Sequence, residues 1–115
     1  MNKHKKRILI DLDGVLNTYD GNYDTTTIPP IKKGAKAFVK ELSKNFELYI
    51  FTSRNLLLSA KWLIENNIDS YFCDITNTKL PSHIYIDDRA INFNGSYKTT
   101  LNEIDKFQAY WAKTN

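Results

Sequence analysis

From Arg7 to Asp13 the chain reads RILIDLD, a nearly unbroken aliphatic run that ends in two aspartates. A strand that is apolar at successive positions is buried on both faces, as the inner strands of parallel sheets are. Gly14 ends the run. The residues from Asn17 to Pro30 are polar, and Asp20-Gly21 between Tyr19 and Tyr23 signals a turn, so a small hairpin or flap is expected over residues 17–30. Beyond Pro29 and Pro30, the apolar residues Ile31, Ala35, Phe38 and Leu42 recur at helical spacing and predict one buried stripe.

A second β block, FELYIFT, runs from Phe46 to Thr52. The stripe Leu56, Ala60, Leu63 and Ile64 predicts a helix that stops near Asn66-Asn67. Tyr71 to Ile75 reads as a third strand, Thr76 to Pro81 as a loop, and His83 to Asp87, HIYID, as a fourth strand. Thr100 and Glu103 have capping-box spacing, and Leu101, Ile104, Gln108 and Trp111, with Phe107 beside them, predict a last helix. Strands alternating with helices over short loops build right-handed βαβ units and a parallel sheet covered on both faces. Ligands bind beyond the carboxyl ends of such strands, where the winding reverses. This sequence puts Asp11 and Asp13, Thr52 and Ser53, and Asp87 and Asp88 there.

A length of 115 residues suits one domain, residues 1–115. The formal charge of +3 comes from its start: Lys3, Lys5, Lys6 and Arg7 leave 12 of the 16 basic residues against all 13 acidic ones. The body is therefore near neutral, and the basic head, residues 1–6, reads as a solvated flank of the first strand. A single cysteine, Cys73, excludes an intramolecular disulfide and a Cys-based zinc site, in keeping with a cytoplasmic location. Two histidines, His4 and His83, cannot build a His-rich metal site unaided. No apolar run approaches the ~20 residues of a membrane span, so no membrane partner is expected.

Four of the nine aspartates stand at two strand ends. Asp11 and Asp13, two apart, can project to the same side of an extended backbone. Asp87 and Asp88 are adjacent and should diverge, one facing the site and one supporting it. If the first and fourth strands are neighbours, three or four carboxylates converge, and at least one of their pKa values must rise. A hard divalent cation such as Mg²⁺ relieves that repulsion with oxygen ligands. Any one of these aspartates alone reads as a turn or cap residue; four at the carboxyl ends of core strands are an electrostatic cost that needs a reason.

Thr52 and Ser53 offer hydroxyls and backbone N–H groups at a helix start, an arrangement that binds anions as readily as it caps a helix. Lys79, in a loop eight residues before Asp87, would be a fixed cation for phosphate oxygens beside a carboxylate–metal site. Arg54 would fork onto a substrate anion or sit as a surface cation on the first turn of a helix.

DLDGV at Asp11 to Val15, an apolar strand ending in Thr52, Lys79 in a later loop, and IDD at Ile86 to Asp88 resemble the four ordered motifs of the haloacid-dehalogenase-like (HAD) hydrolase superfamily. IDDRAINF, from Ile86 to Phe93, further resembles small bacterial and phage members described as HAD-like hydrolases or phosphatases. The resemblance implies a three-layer α/β/α sandwich with a parallel sheet in the order 3-2-1-4. Neither of the gaps that hold caps in the superfamily is long enough here for a cap domain. It implies a phosphatase in which Asp11 is the nucleophile that becomes an aspartyl-phosphate and Asp13 is the acid and base, with a raised pKa. Mg²⁺ would be held by Asp11, the main-chain oxygen of Asp13 and Asp87, with Asp88 as a further or alternative ligand; Thr52 and Lys79 would hold the phosphoryl group, beside the anion-binding hydroxyl read at Ser53. The expected partners are a sugar phosphate or a nucleotide or polynucleotide end, with a second copy of the chain as a cover for an open cleft.

Two other classes compete. A response-regulator receiver is of this size and uses an acidic pair, a Ser/Thr and a Lys around Mg²⁺, but its phosphate-accepting Asp ends a middle strand after the acidic pair. Here that strand ends in Thr52 and the second acidic pair comes last. A non-catalytic nucleic-acid-binding module would use the basic head, but it has no need of the acids, which repel a phosphate backbone.

Overall fold

A computed structural model describes residues 5–112. Four strands, β1 (Lys6–Asp11), β2 (Phe46–Phe51), β3 (Phe72–Thr76) and β4 (Ile84–Ile86), form one all-parallel sheet in the order β3-β2-β1-β4. Three helices, α1 (Ala35–Ser43), α2 (Leu56–Glu65) and α3 (Tyr97–Lys106), complete the α/β fold expected from the sequence, with 3₁₀ turns at Asp69–Tyr71 and Tyr110–Ala112.

β1 lies between β2 and β4, which is why its aliphatic run is unbroken: Ile8, Leu9 and Ile10 are all buried. Ile8 and Ile10 join Leu48 and Ile50 of β2 on one face, against Ala35 and Val39 of α1 and Trp62 and Leu63 of α2. Arg7, Leu9 and Tyr85 point to the other face, since side chains alternate along a strand. The β3–β4 connection is tied there: Tyr85 Oη donates to the Leu80 carbonyl (3.1 Å) and Arg7 Nη1 to the Pro81 carbonyl (2.9 Å). Arg7 also lies over the Tyr49 ring (4.7 Å). The basic head is therefore part of the fold from Lys5 onward, with Lys5 Nζ on the Ser43 carbonyl and Lys6 already in β1; its earlier residues lie outside the described ones.

Several helical stripes differ from expectation. In α1 the buried residues are Ala35 and Val39, and Phe38 is exposed; Ile31 precedes the helix and bridges to Asn17. In α2 the buried residues are Ser59, Trp62 and Leu63, whereas Leu56 and Ile64 face outward. Its face is turned by Trp62, whose Nε1 donates to the Pro29 carbonyl (3.1 Å). α3 starts earlier than the Thr100–Glu103 spacing suggested, capped by Ser96 Oγ accepting from Thr99 N (3.1 Å). It buries none of its residues, leaves Leu101 and Ile104 exposed, and ends at Lys106, so Gln108 and Trp111 are outside it.

No hairpin forms over residues 17–30. The segment is a loop closed at its base by Thr18 N to Pro30 O (2.9 Å) and Lys32 N to Leu16 O (2.8 Å). Inside it, Asp20 and Asp24 each cap their own turn, and the bonds from Thr26 hold the Asp24 carboxyl below its ordinary pKa. Among the described residues no helix is long and apolar enough to cross a membrane.

Candidate functional site

The strand order makes β1 and β4 neighbours, so their carboxyl ends meet. Asp11 is the last residue of β1, and Asp87 and Asp88 follow β4 directly. One carboxylate oxygen from each of the three lies within 4.8 Å of the others. Asp87 and Asp88 thus converge on Asp11, contrary to the divergence expected of adjacent residues. That alternation holds only inside a strand, and β4 ends at Ile86.

Crowding and burial act together on Asp11. Burial is the larger cause, followed by a hydrogen bond with Asp88 and the charges of Asp87 and Asp88; the Leu12 N–H (2.8 Å) opposes them. The Asp11 pKa is pushed up to about 8. Three convergent hard oxygen donors, one of them holding a proton that a cation would displace, fit a divalent ion of the Mg²⁺ type.

Asp13 is not in this cluster. β1 stops at Asp11, and the chain turns at once, with Leu16 N bonded to the Leu12 carbonyl (3.0 Å), so the i, i+2 argument does not apply. Arg54 Nε donates to both Asp13 oxygens (3.1 and 2.9 Å), and Asn17 Nδ2 donates to Oδ1 (3.0 Å). The acid crowding expected around Asp13 falls on Asp11 instead.

Arg54 is neither a surface cation nor a residue of a helix's first turn. It is 2% exposed, and its Nη1 donates to the main-chain oxygens of Asp24 (2.8 Å) and Thr27 (3.3 Å), with the Tyr23 ring stacked at 4.5 Å. Its buried Nη2 has no hydrogen-bond partner among the described residues. Thr52 directly follows β2, which ends one residue earlier than expected, at Phe51; it is buried, its Oγ1 accepting from Arg54 N (3.1 Å). Ser53 is exposed, and the helix starts three residues later, at Leu56, with Asn55 as its cap (2.9 Å from Leu58 N). Lys79 lines a cavity of about 620 Å³ with Asp87 and His83, its ammonium over the Tyr85 ring at 4.5 Å.

Two asparagines escaped the sequence reading. Asn17 is fully buried and serves three groups, accepting from Gly14 N (3.1 Å) and Tyr19 N (3.0 Å) while donating to Asp13. Asn77 Nδ2 donates to the carbonyls of Thr52 and Arg54, bracing the end of β2 from beyond β3. A polar residue straight after the apolar Val15-Leu16 was a signal for Asn17; Asn77 had none.

No protein-family model matches the chain, and no curated protein matches it. It is similar to a solved structure. That structure is of a conserved protein from Bacteroides thetaiotaomicron, at 16% identity over 90% of this chain and 92% of that one, with a TM-score of 0.59. At this identity the likeness is one of fold.

Proposed function

We propose that the chain is a Mg²⁺-dependent phosphomonoesterase of HAD-like type that works through an aspartyl-phosphate on Asp11. The observation that carries this reading is the meeting of Asp11, Asp87 and Asp88 at the ends of adjacent core strands, in a chain whose motif order resembles that superfamily.

Asp11, Asp87 and Asp88 would hold the ion, with the Asp13 main-chain oxygen as a fourth donor. When bound, Mg²⁺ offsets negative charge and polarises phosphoryl oxygens. An Asp11 oxygen attacks phosphorus; the bond to the ester oxygen breaks, and that oxygen leaves as the alcohol with a proton from Asp13. Asp13, now a carboxylate, takes a proton from water, whose oxygen attacks the phosphorus and releases Asp11 and inorganic phosphate. The pair with Arg54 would fix the direction in which Asp13 faces. Thr52, Ser53 and Lys79 would hold the phosphoryl oxygens, whereas Arg54, buried against Asp13 and the carbonyls of Asp24 and Thr27, would act through Asp13 and not on the substrate anion expected for it.

The substrate is a phosphorylated small molecule or a nucleic-acid end, with a second copy of the chain as the alternative cover for the cleft. A panel of phosphomonoesters assayed with and without Mg²⁺ tests the reading. Metal-dependent release of phosphate from one class is expected; no release from any member would overturn it.

A further inference from the structure

We propose that Trp111 is a positioning residue for Asp88, and that the turn Tyr110–Ala112 roofs the acid cluster. The inference rests on the reading above for its consequence in catalysis, but its geometry stands apart from it.

Two connections remote from each other in the sequence, the one between β1 and α1 and the one after β4, meet on this turn. Trp111 Nε1 donates to Oδ2 of Asp88, in the loop after β4. Tyr110 Oη donates to the carbonyl of Gly14, in the loop after β1. The Trp111 ring stands edge-on to Tyr19, at 5.0 Å and 75°, in the residue 17–30 loop. The turn is itself pinned, with Ala112 N on the Ala109 carbonyl (2.9 Å), Gln108 Nε2 on the Ala112 carbonyl (2.7 Å) and Ala109 buried.

The backbone around it has been cleared for this contact. A Cβ at Gly14 would collide with the Asp88 carboxylate and stand 2.8 Å from Trp111 Nε1, and φ there is +80°. A Cβ at Gly21 would stand 3.1 Å from the Trp111 ring, again at positive φ (+104°). Side chains at either position would be strained and would push the indole off its partners.

A roof made only for packing needs no polar atom. An indole N–H is a donor and never an acceptor, so its bond to Oδ2 fixes which way the Asp88 carboxyl group faces. With Oδ2 engaged, Asp88 is held against Asp11 and Asp87 with an oxygen still available to the cluster. Donors behind metal-binding carboxylates typically change metal affinity 10–100-fold. The guanidinium of Arg89 lies over the indole ring, 5.9 Å from its centroid.

The test is Mn²⁺ binding, followed by calorimetry and by quenching of tryptophan emission. Trp111→Phe keeps a ring against Tyr19 and loses the donor, while Trp62, buried in the core, reports that the fold is intact. The expected result is a Kd for Mn²⁺ raised about 10–100-fold, with the additional loss absent in an Asp88→Asn background. Tyr110→Phe, which keeps the indole and loses only the tether to Gly14, should raise the Kd less, about 2–10-fold, and it serves if Trp111→Phe does not fold. A Kd within twofold of wild type in the folded variants, or losses that add fully to that of Asp88→Asn, would overturn the proposal. Absence of Mn²⁺ binding by the wild-type protein would overturn it together with the proposed function. Binding that weakens as expected in a protein that hydrolyses no phosphomonoester would uphold the role of Trp111 and overturn the phosphatase reading alone.

Discussion

Arg54 reaches across the end of the sheet to Asp13, Nε lying 3.1 and 2.9 Å from the two carboxylate oxygens. The same guanidinium holds the carbonyls of Asp24 and Thr27, so one buried cation joins the loop after β1, the end of β2 and the 17–30 segment. Arg54→Ala would leave Asp13 without its cation, with only Asn17 still donating to it, and two carbonyl oxygens without this donor. Breaking such a pair should cost about 3 kcal/mol, read in urea unfolding. Residues 17–30 should also become the first site of proteolytic cleavage, and Arg54→Lys, without the fork, should fall in between.

Asp11→Asn separates nucleophile from fold. Phosphatase activity should drop by about a thousandfold or more, as a covalent route cannot proceed without the carboxylate. The metal-free variant should be at least as stable as wild type, because one of three crowded acids is gone. Mass spectrometry of the trapped wild-type intermediate should find phosphate on Asp11, and label on another residue would remove this assignment.

The raised pKa of Asp11 has a pH signature. Its ordinary value is 3.8, against about 8 in the folded, metal-free chain. Between these values the folded chain keeps a proton that the unfolded chain has lost. This contribution to stability is therefore full below pH 3.8, falls as the pH rises, and is lost above about 8. Urea unfolding with a chelator should give lower stability at about pH 9 than at about pH 6. Mg²⁺ should narrow that difference, and calorimetry in two buffers should detect proton release on binding below about pH 8.

Asp13→Asn should discriminate between leaving groups. An activated aryl phosphate needs little protonation of its leaving oxygen and should lose less in the phosphorylation step than an alkyl phosphate. Breakdown of the intermediate should slow for both, since water has lost its base. Single-turnover kinetics separates the two steps, and equal losses in the first would exclude Asp13 as its acid.

The basic residues nearest β1 should behave as structure. Arg7→Ala removes the bond to the Pro81 carbonyl and the cover over Tyr49, and should cost about 1–2 kcal/mol with little change in KM for a small phosphomonoester. A large rise in KM with unchanged stability would assign Arg7 to substrate instead.

The sequence by itself determined the β-strands and the acids at their ends. RILIDLD, FELYIFT and HIYID are patterns of burial carried by consecutive residues, so β1, β2 and β4 lie where their apolar runs lie, each trimmed at the carboxyl end. The helix faces were less legible. Periodicity says which residues share a stripe, but only a neighbour decides whether the stripe is covered, and among the described residues Leu101 and Ile104 of α3 have none that buries them. The site's electrostatics belonged wholly to the tertiary structure. Asp11 and Asp13 are two residues apart, yet one meets Asp87 and Asp88 and the other meets Arg54, because β1 ends between them. Tyr110 and Gly14 are separated by 96 residues, Arg54 and Asp13 by 41, and Trp111 and Asp88 by 23. Hydrogen-bond donors and carboxylates leave no periodic trace at such distances, and only the folded chain brings them within bonding reach.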